Sequence, residues 1–140
     1  MTRSSPGQLE MDLAVTAKTV GLVRTIVRAH VRLWGLEPLV ERTVLVLSEL
    51  LTNVVKHVPP SGKSQTPSAR LVLTRVPGDG LFLCVHDSDP THPQLTLASP
   101  DAEDGRGVSL IAACADEYGV TPATGGGKDV WLTLFPGDRS

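Results

Sequence analysis

Apolar residues along the chain recur at two different periods, and the changeover divides it. Val20, Val23, Val27, Val31 and Trp34 stand three or four residues apart, the spacing of one helix face, and Gly35 follows where a C-terminal cap belongs. Thr16 is suited to cap the other end, and His30 with the basic side chains of this segment reads as its solvated flank. A second helical stretch covers residues 43–58, TVLVLSELLTNVVKHV, with Val44, Leu47, Leu51, Val54 and Val58 in one stripe. Leu45, Val46, Leu50 and Val55 carry apolar surface most of the way round it, which predicts a helix buried on nearly all sides. Pro38 suits its first turn and Pro59-Pro60 ends it. Before both helices, residues 9–15 alternate and predict an opening strand, behind a polar tail over residues 1–8 that reads as flexible. Beyond them the polar connector SGKSQTPS leads into period two. Residues 70–76 and 81–87 predict strands joined through Pro77-Gly78-Asp79-Gly80 as a hairpin. A long loop rich in Pro, Asp, Thr and Ser covers residues 90–104, and Gly105-Arg106-Gly107 opens a third helix carrying Val108, Leu110, Ile111 and Cys114. A short strand at 117–120, a Gly125-Gly126-Gly127 turn and a last strand at 130–135 complete the chain.

Helices grouped apart from strands that are neighbours in sequence predict an α+β sandwich, a mixed, mostly antiparallel sheet with helices on one face. The 140 residues suit one domain, over residues 9–136, with a short C-terminal tail at 137–140. Apolar residues at 41% and charged ones at 20% are ordinary globular values. The formal charge of −2, without a basic run, gives direct nucleic-acid binding no electrostatic support. No signal-peptide core stands at the start and no apolar run approaches the roughly 20 residues that span a bilayer, so the expected setting is cytoplasmic, without membrane attachment. Cys84 and Cys114 sit in apolar surroundings and read as buried hydrophobes.

Glu49, Asn53 and His57 interrupt the apolar central helix. Their four-residue spacing stacks them along one side, drifting about 40° per step. A carboxylate in such a setting is paired, shifted in pKa, or used on a ligand or metal; the alternative is that these residues, with Lys56, form the wet side of an amphipathic helix. Glycines opening a helix at Gly105 and Gly107 let backbone amides approach an anion. No GxGxxG or GxxxxGK[ST] follows a strand, which sets aside Rossmann and P-loop readings.

Taken together, Ser48-Glu49-Leu50-Leu51-Thr52-Asn53 with His57, Val85-His86-Asp87-Ser88, Gly105-Arg106-Gly107-Val108 with Leu110, and Gly126-Gly127-Lys128 with Val130-Trp131 closely resemble the anti-sigma-factor serine/threonine kinases of the GHKL ATPase superfamily. The similarity runs from about Leu9 to Phe135. It implies the Bergerat ATP-binding fold, a two-layer sandwich with three helices on one face of the sheet, and the cofactors ATP and Mg²⁺. By resemblance, Asn53 is the amide-oxygen ligand of Mg²⁺, a hard cation that prefers oxygen. Glu49 is the general base that takes the proton of an attacking hydroxyl. Asp87 accepts a hydrogen bond from the adenine amino group, and Gly105, Arg106, Gly107 and Val108 hold phosphate. His57, Lys128 and Thr133 are further candidates, and residues 88–104 correspond to the ATP lid. Asp89 stands where many superfamily members have glycine, and Asp129 where threonine or another small residue is expected.

Two functions of different class follow from the resemblance. One is an anti-sigma factor that phosphorylates a serine or threonine of an anti-sigma-factor antagonist, with the sigma factor and the antagonist as partners and homodimerisation open. The other is a non-catalytic module, with or without nucleotide, that regulates a transcription partner by occlusion.

Overall fold

A computed structural model of the chain describes residues 2–57, 67–88 and 114–137. The order is β1 (Thr2–Ser5), β2 (Gln8–Ala14), α1 (Ala17–Leu33), a short 3-10 turn (Glu37–Leu39), α2 (Val40–His57), β3 (Ser68–Val76), β4 (Gly80–Asp87), β5 (Glu117–Pro122) and β6 (Lys128–Leu134). The strands form one six-stranded sheet in the order β1-β2-β3-β4-β6-β5. Every pairing among them is antiparallel, where the sequence reading allowed for a mixed sheet.

Local chemistry sets the element boundaries. Thr16 and Thr19 cap α1 reciprocally: Thr16 Oγ1 accepts from the Thr19 amide at 3.2 Å, and Thr19 Oγ1 from the Thr16 amide at 2.8 Å. This satisfies amides that a helix start leaves without partners. At the far end Gly35 adopts φ +77, a left-handed conformation natural to glycine after a helix. Pro38 lies in the 3-10 turn that leads into α2, and α2 runs to His57, just short of Pro59-Pro60.

Two-residue alternation divides the sheet into faces. Leu9, Leu71, Leu73, Leu81, Leu83, Leu132 and Leu134 are fully buried on the side that packs against Val27 and Val31 of α1 and Leu47 and Leu51 of α2. The other face carries no helix among the described residues. Its cross-strand rows include a fully polar one, Asp12-Arg70-His86-Asp129, and a mixed one, Glu10-Val72-Cys84-Trp131. Arg42 ties the helical layer to the sheet rim, donating to the carbonyls of Cys114 and Phe135.

Two sequence expectations change. Residues 2–5 pair with β2 as an edge strand instead of forming a free tail, because Gly7 turns the chain at φ +73 and the Gly7 carbonyl accepts from the Arg75 amide at 2.8 Å. Secondly, α2 is amphipathic: Leu45 and Val55 are 46% and 44% exposed, so the apolar stripe covers the sheet-facing side and not the whole cylinder. The third helix lies outside the described residues apart from its last residue, Cys114.

Packing alone then predicts different responses on the two sides of α2. Leu51→Ala should lower stability by about 2–5 kcal/mol through the cavity it leaves, and Leu45→Ala should change it by no more than about 0.5 kcal/mol. Urea unfolding of both variants measures this, and equal losses would contradict the assigned faces.

Candidate functional site

The inner face of β4 reads Leu81, Leu83, Val85 and then Asp87, a carboxylate where the alternation calls for another hydrophobe. Asp87 is 3% exposed. The register sets it opposite Ala69 of β3 and Lys128 of β6, the latter also inward-facing and 6% exposed. Lys128 Nζ donates to Asp87 Oδ1 at 3.0 Å. Burying either charge alone is costly, and removing one partner of such a pair typically costs about 3–5 kcal/mol. Gly127 brings the strand ends together. A Cβ there would lie 2.0 Å from the Asp87 carbonyl oxygen and 2.8 Å from Ser88 Cα, and the residue sits at φ +80, so only glycine allows this approach.

A cavity of about 450 Å³ opens beside Asp87, lined by Leu13, Ala14, Ser68, Ala69 and Ser88 together with Asp12, Arg70 and His86 at the sheet rim. The rim charges are paired on the open face. Arg70 Nε donates to Asp12 Oδ1 at 2.7 Å, which draws the Asp12 carboxyl below its ordinary pKa. His86 Nδ1 donates to Asp129 Oδ1 at 2.8 Å. On α2, Glu49 and Asn53 stand one turn apart and half-buried between the fully or nearly fully buried Leu50, Leu51 and Val54. Their neighbour Ser48 is fixed from both sides: its hydroxyl donates to the Val44 carbonyl at 2.7 Å and accepts from Arg24 Nε at 2.9 Å.

The sequence-derived residues therefore fall into three groups. Asp87 and Lys128 come together as a bonded pair, and Glu49 and Asn53 share one side of α2. Thr133 lies on the open face, in the row of Phe82 and Glu117, so strand alternation separates it from Asp87. Its hydroxyl is buried without a hydrogen-bond partner among the described residues. Asp129 is on that face too, held by His86, and does not add a carboxylate beside Asp87. Gly105, Arg106, Gly107, Val108 and Asp89 lie outside the described residues, as does the side chain of His57. The Lys128–Asp87 bond was missed from sequence, although parity carries the signal: Lys128 shares its strand face with Val130, Leu132 and Leu134.

Residues 13–134 match the family model of the histidine kinase-like ATPase domain. The chain belongs to this family. As a histidine kinase-like ATPase domain it has the GHKL α+β fold, and the family implies ATP as its ligand class. Among solved structures it is similar to the histidine kinase domain from the Erythrobacter litoralis EL346 blue-light activated histidine kinase, at 24% identity and a TM-score of 0.49. That match covers 70% of this chain and 45% of the other, so the domain spans less than half the length of that relative. No curated protein matches the chain. No helix among the described residues is long and apolar enough to cross a membrane.

On the open face of this ATPase domain, Cys84 is half-buried beside the stacked Phe82 and Trp131 rings, whose centroids are 6.4 Å apart. Burial, reinforced by the nearby Asp129 carboxylate, pushes its thiol pKa up to about 11 from an ordinary 9.0. The folded thiol stays protonated where the unfolded one ionises, so its contribution to stability is full below pH 9.0 and is lost as pH rises to about 11. Alkylation at about pH 8, read by peptide mass mapping, should modify Cys84 far more slowly in native than in urea-unfolded protein. Equal rates would contradict this environment.

Proposed function

We propose that this domain binds Mg·ATP and transfers the γ-phosphoryl group to a serine or threonine of a partner protein, acting in the cytoplasm as an anti-sigma factor whose substrate is an anti-sigma-factor antagonist. The observation that carries the reading is the buried Asp87 carboxylate at the end of β4, in a chain whose family match spans residues 13–134. An acceptor-only group in an apolar wall is suited to an exocyclic amino donor, and the adjoining cavity gives a base room.

The remaining roles are chemically consistent with this placement. Among the described residues no three His, Cys, Asp or Glu side chains gather as a metal cage. Mg²⁺ needs no such cage, because it takes one or two protein oxygens together with phosphate and water, and the amide oxygen of the half-buried Asn53 is such a ligand. When bound, the ion neutralises charge on the phosphates. Glu49, one turn away and flanked by apolar neighbours, takes the proton of the attacking hydroxyl. By their resemblance to the family's glycine motif, Gly105, Arg106, Gly107 and Val108, which lie outside the described residues, contribute phosphate contacts.

A second reading, regulation of a transcription partner by occlusion without turnover, is favoured by the exposed side chains Leu22 and Leu33 of α1, at 56% and 79% exposure. Two variants separate the readings. Under the kinase reading, Glu49→Gln lowers phosphotransfer to the partner about 100-fold or more while ATP binding persists. Asn53→Ala weakens magnesium-dependent ATP binding, measured by calorimetry, roughly 10-fold or more. Partner phosphorylation unaffected by Glu49→Gln would remove Glu49 as the base, and partner binding indifferent to both Mg·ATP and Asn53→Ala would favour occlusion.

A further inference from the structure

We propose that Lys128 is a positioning residue for base recognition: its ammonium holds Asp87 as an acceptor-only carboxylate and so makes the site prefer a purine with an exocyclic amino group over one with a keto oxygen in its place. This rests on reading Asp87 as the group that meets the base.

Lys128 and Asp87 are directly opposed in the β4–β6 ladder, bonded at 3.0 Å, with side chains only 8% and 4% exposed. Gly127, immediately before Lys128, is pressed against the backbone of Asp87 and Ser88, which pins the ammonium to this strand end. Among the described residues, the other charged groups lining the cavity beside Asp87 are Asp12, Arg70 and His86. Arg70 is engaged with Asp12 at 2.7 Å and with Glu10 at 3.7 Å, and His86 with Asp129 at 2.8 Å, all on the open face of the sheet. Among the described residues, Lys128 bonds Asp87 from its own face of the sheet.

An ionised carboxylate only accepts hydrogen bonds, up to about four of them, so a bond from Lys128 is compatible with one from an amino group on the base. A keto oxygen in that position would meet an acceptor with an acceptor. Without the ammonium, burial favours the neutral acid, which carries an O–H donor and no longer discriminates between the two edges. Lys128 therefore touches neither phosphate nor the reacting atoms in this account; it fixes which hydrogen-bonding role Asp87 can play.

Calorimetric titration of ATP and of ITP, which has a keto oxygen in place of the amino group, into the native chain, Lys128→Met and Lys128→Arg at about pH 6 and about pH 8 tests the proposal. The native chain should prefer ATP by roughly 10- to 100-fold at both pH values, and Lys128→Arg should keep that ratio within a few-fold. In Lys128→Met, with the facing ammonium gone from the buried carboxylate, the preference for ATP should collapse to a few-fold at about pH 6. A native ratio in Lys128→Met at both pH values would overturn the positioning role while leaving the nucleotide site intact. If Lys128→Met does not fold, the double variant Asp87→Asn/Lys128→Met, which removes both charges, should bind the two nucleotides nearly equally at either pH; a native ratio there would overturn the role as well. A native chain that binds neither nucleotide would overturn the nucleotide reading itself and the role of Lys128 with it.

Discussion

The buried ion pair between Lys128 and Asp87 is the constraint on which the rest of the site depends. It joins the last inward position of β4 to the first of β6, in a ladder where every other inward residue is apolar. A charge there is tolerable only with its partner in hydrogen-bond contact, so the pair fixes register as well as local geometry. Gly127 answers the same demand on the backbone side, since any side chain would collide with the Asp87 carbonyl. The helical layer then completes the wall, with α2 setting Leu47, Leu51 and Val54 against the sheet and leaving Glu49 and Asn53 half-buried on a flank.

The sheet keeps two chemistries apart by alternation alone. One face is a leucine-rich core that runs out at Asp87 and Lys128. The other is a polar and aromatic surface whose charges answer each other across strands, Arg70 with Asp12 and His86 with Asp129, beside the Phe82–Trp131 stack. Exposed pairs of this kind contribute little to stability. Their consequence is that the carboxylate of Asp129 is held away from the inward face, so consecutive residues of β6 serve opposite surfaces of the domain.

Much of this was legible in the sequence because it was written in short-range pattern. The heptad-like valines of α1, the Thr16 cap, the Gly35 stop and the hairpin across Pro77–Gly80 each follow from local rules, and the structure has them. Order within the sheet was less legible, since adjacency of β2 to β3 and of β4 to β6 depends on packing between segments distant in sequence. For the same reason residues 2–5 read as a tail: nothing in Thr-Arg-Ser-Ser favours a strand until β2 offers it an edge. Leu45 and Val55 misled in the other direction, because apolar residues do occur on surfaces and periodicity cannot say which side of a helix is covered. At the candidate site, motif spacing singled out Glu49, Asn53 and Asp87. It did not find the pairing of Lys128 with Asp87, or the separation of Thr133 and Asp129 from it, because those depend on strand parity across a register.

The account as a whole stands on where the base of the nucleotide sits. A crystal structure of the chain grown with magnesium and a non-hydrolysable ATP analogue tests it most directly. The account predicts the exocyclic amino group of the adenine within hydrogen-bond distance of Asp87, with Lys128 still bonded to that carboxylate and the metal on the Asn53 amide oxygen. Adenine bound away from Asp87, or a Lys128 displaced onto the phosphates, would contradict it.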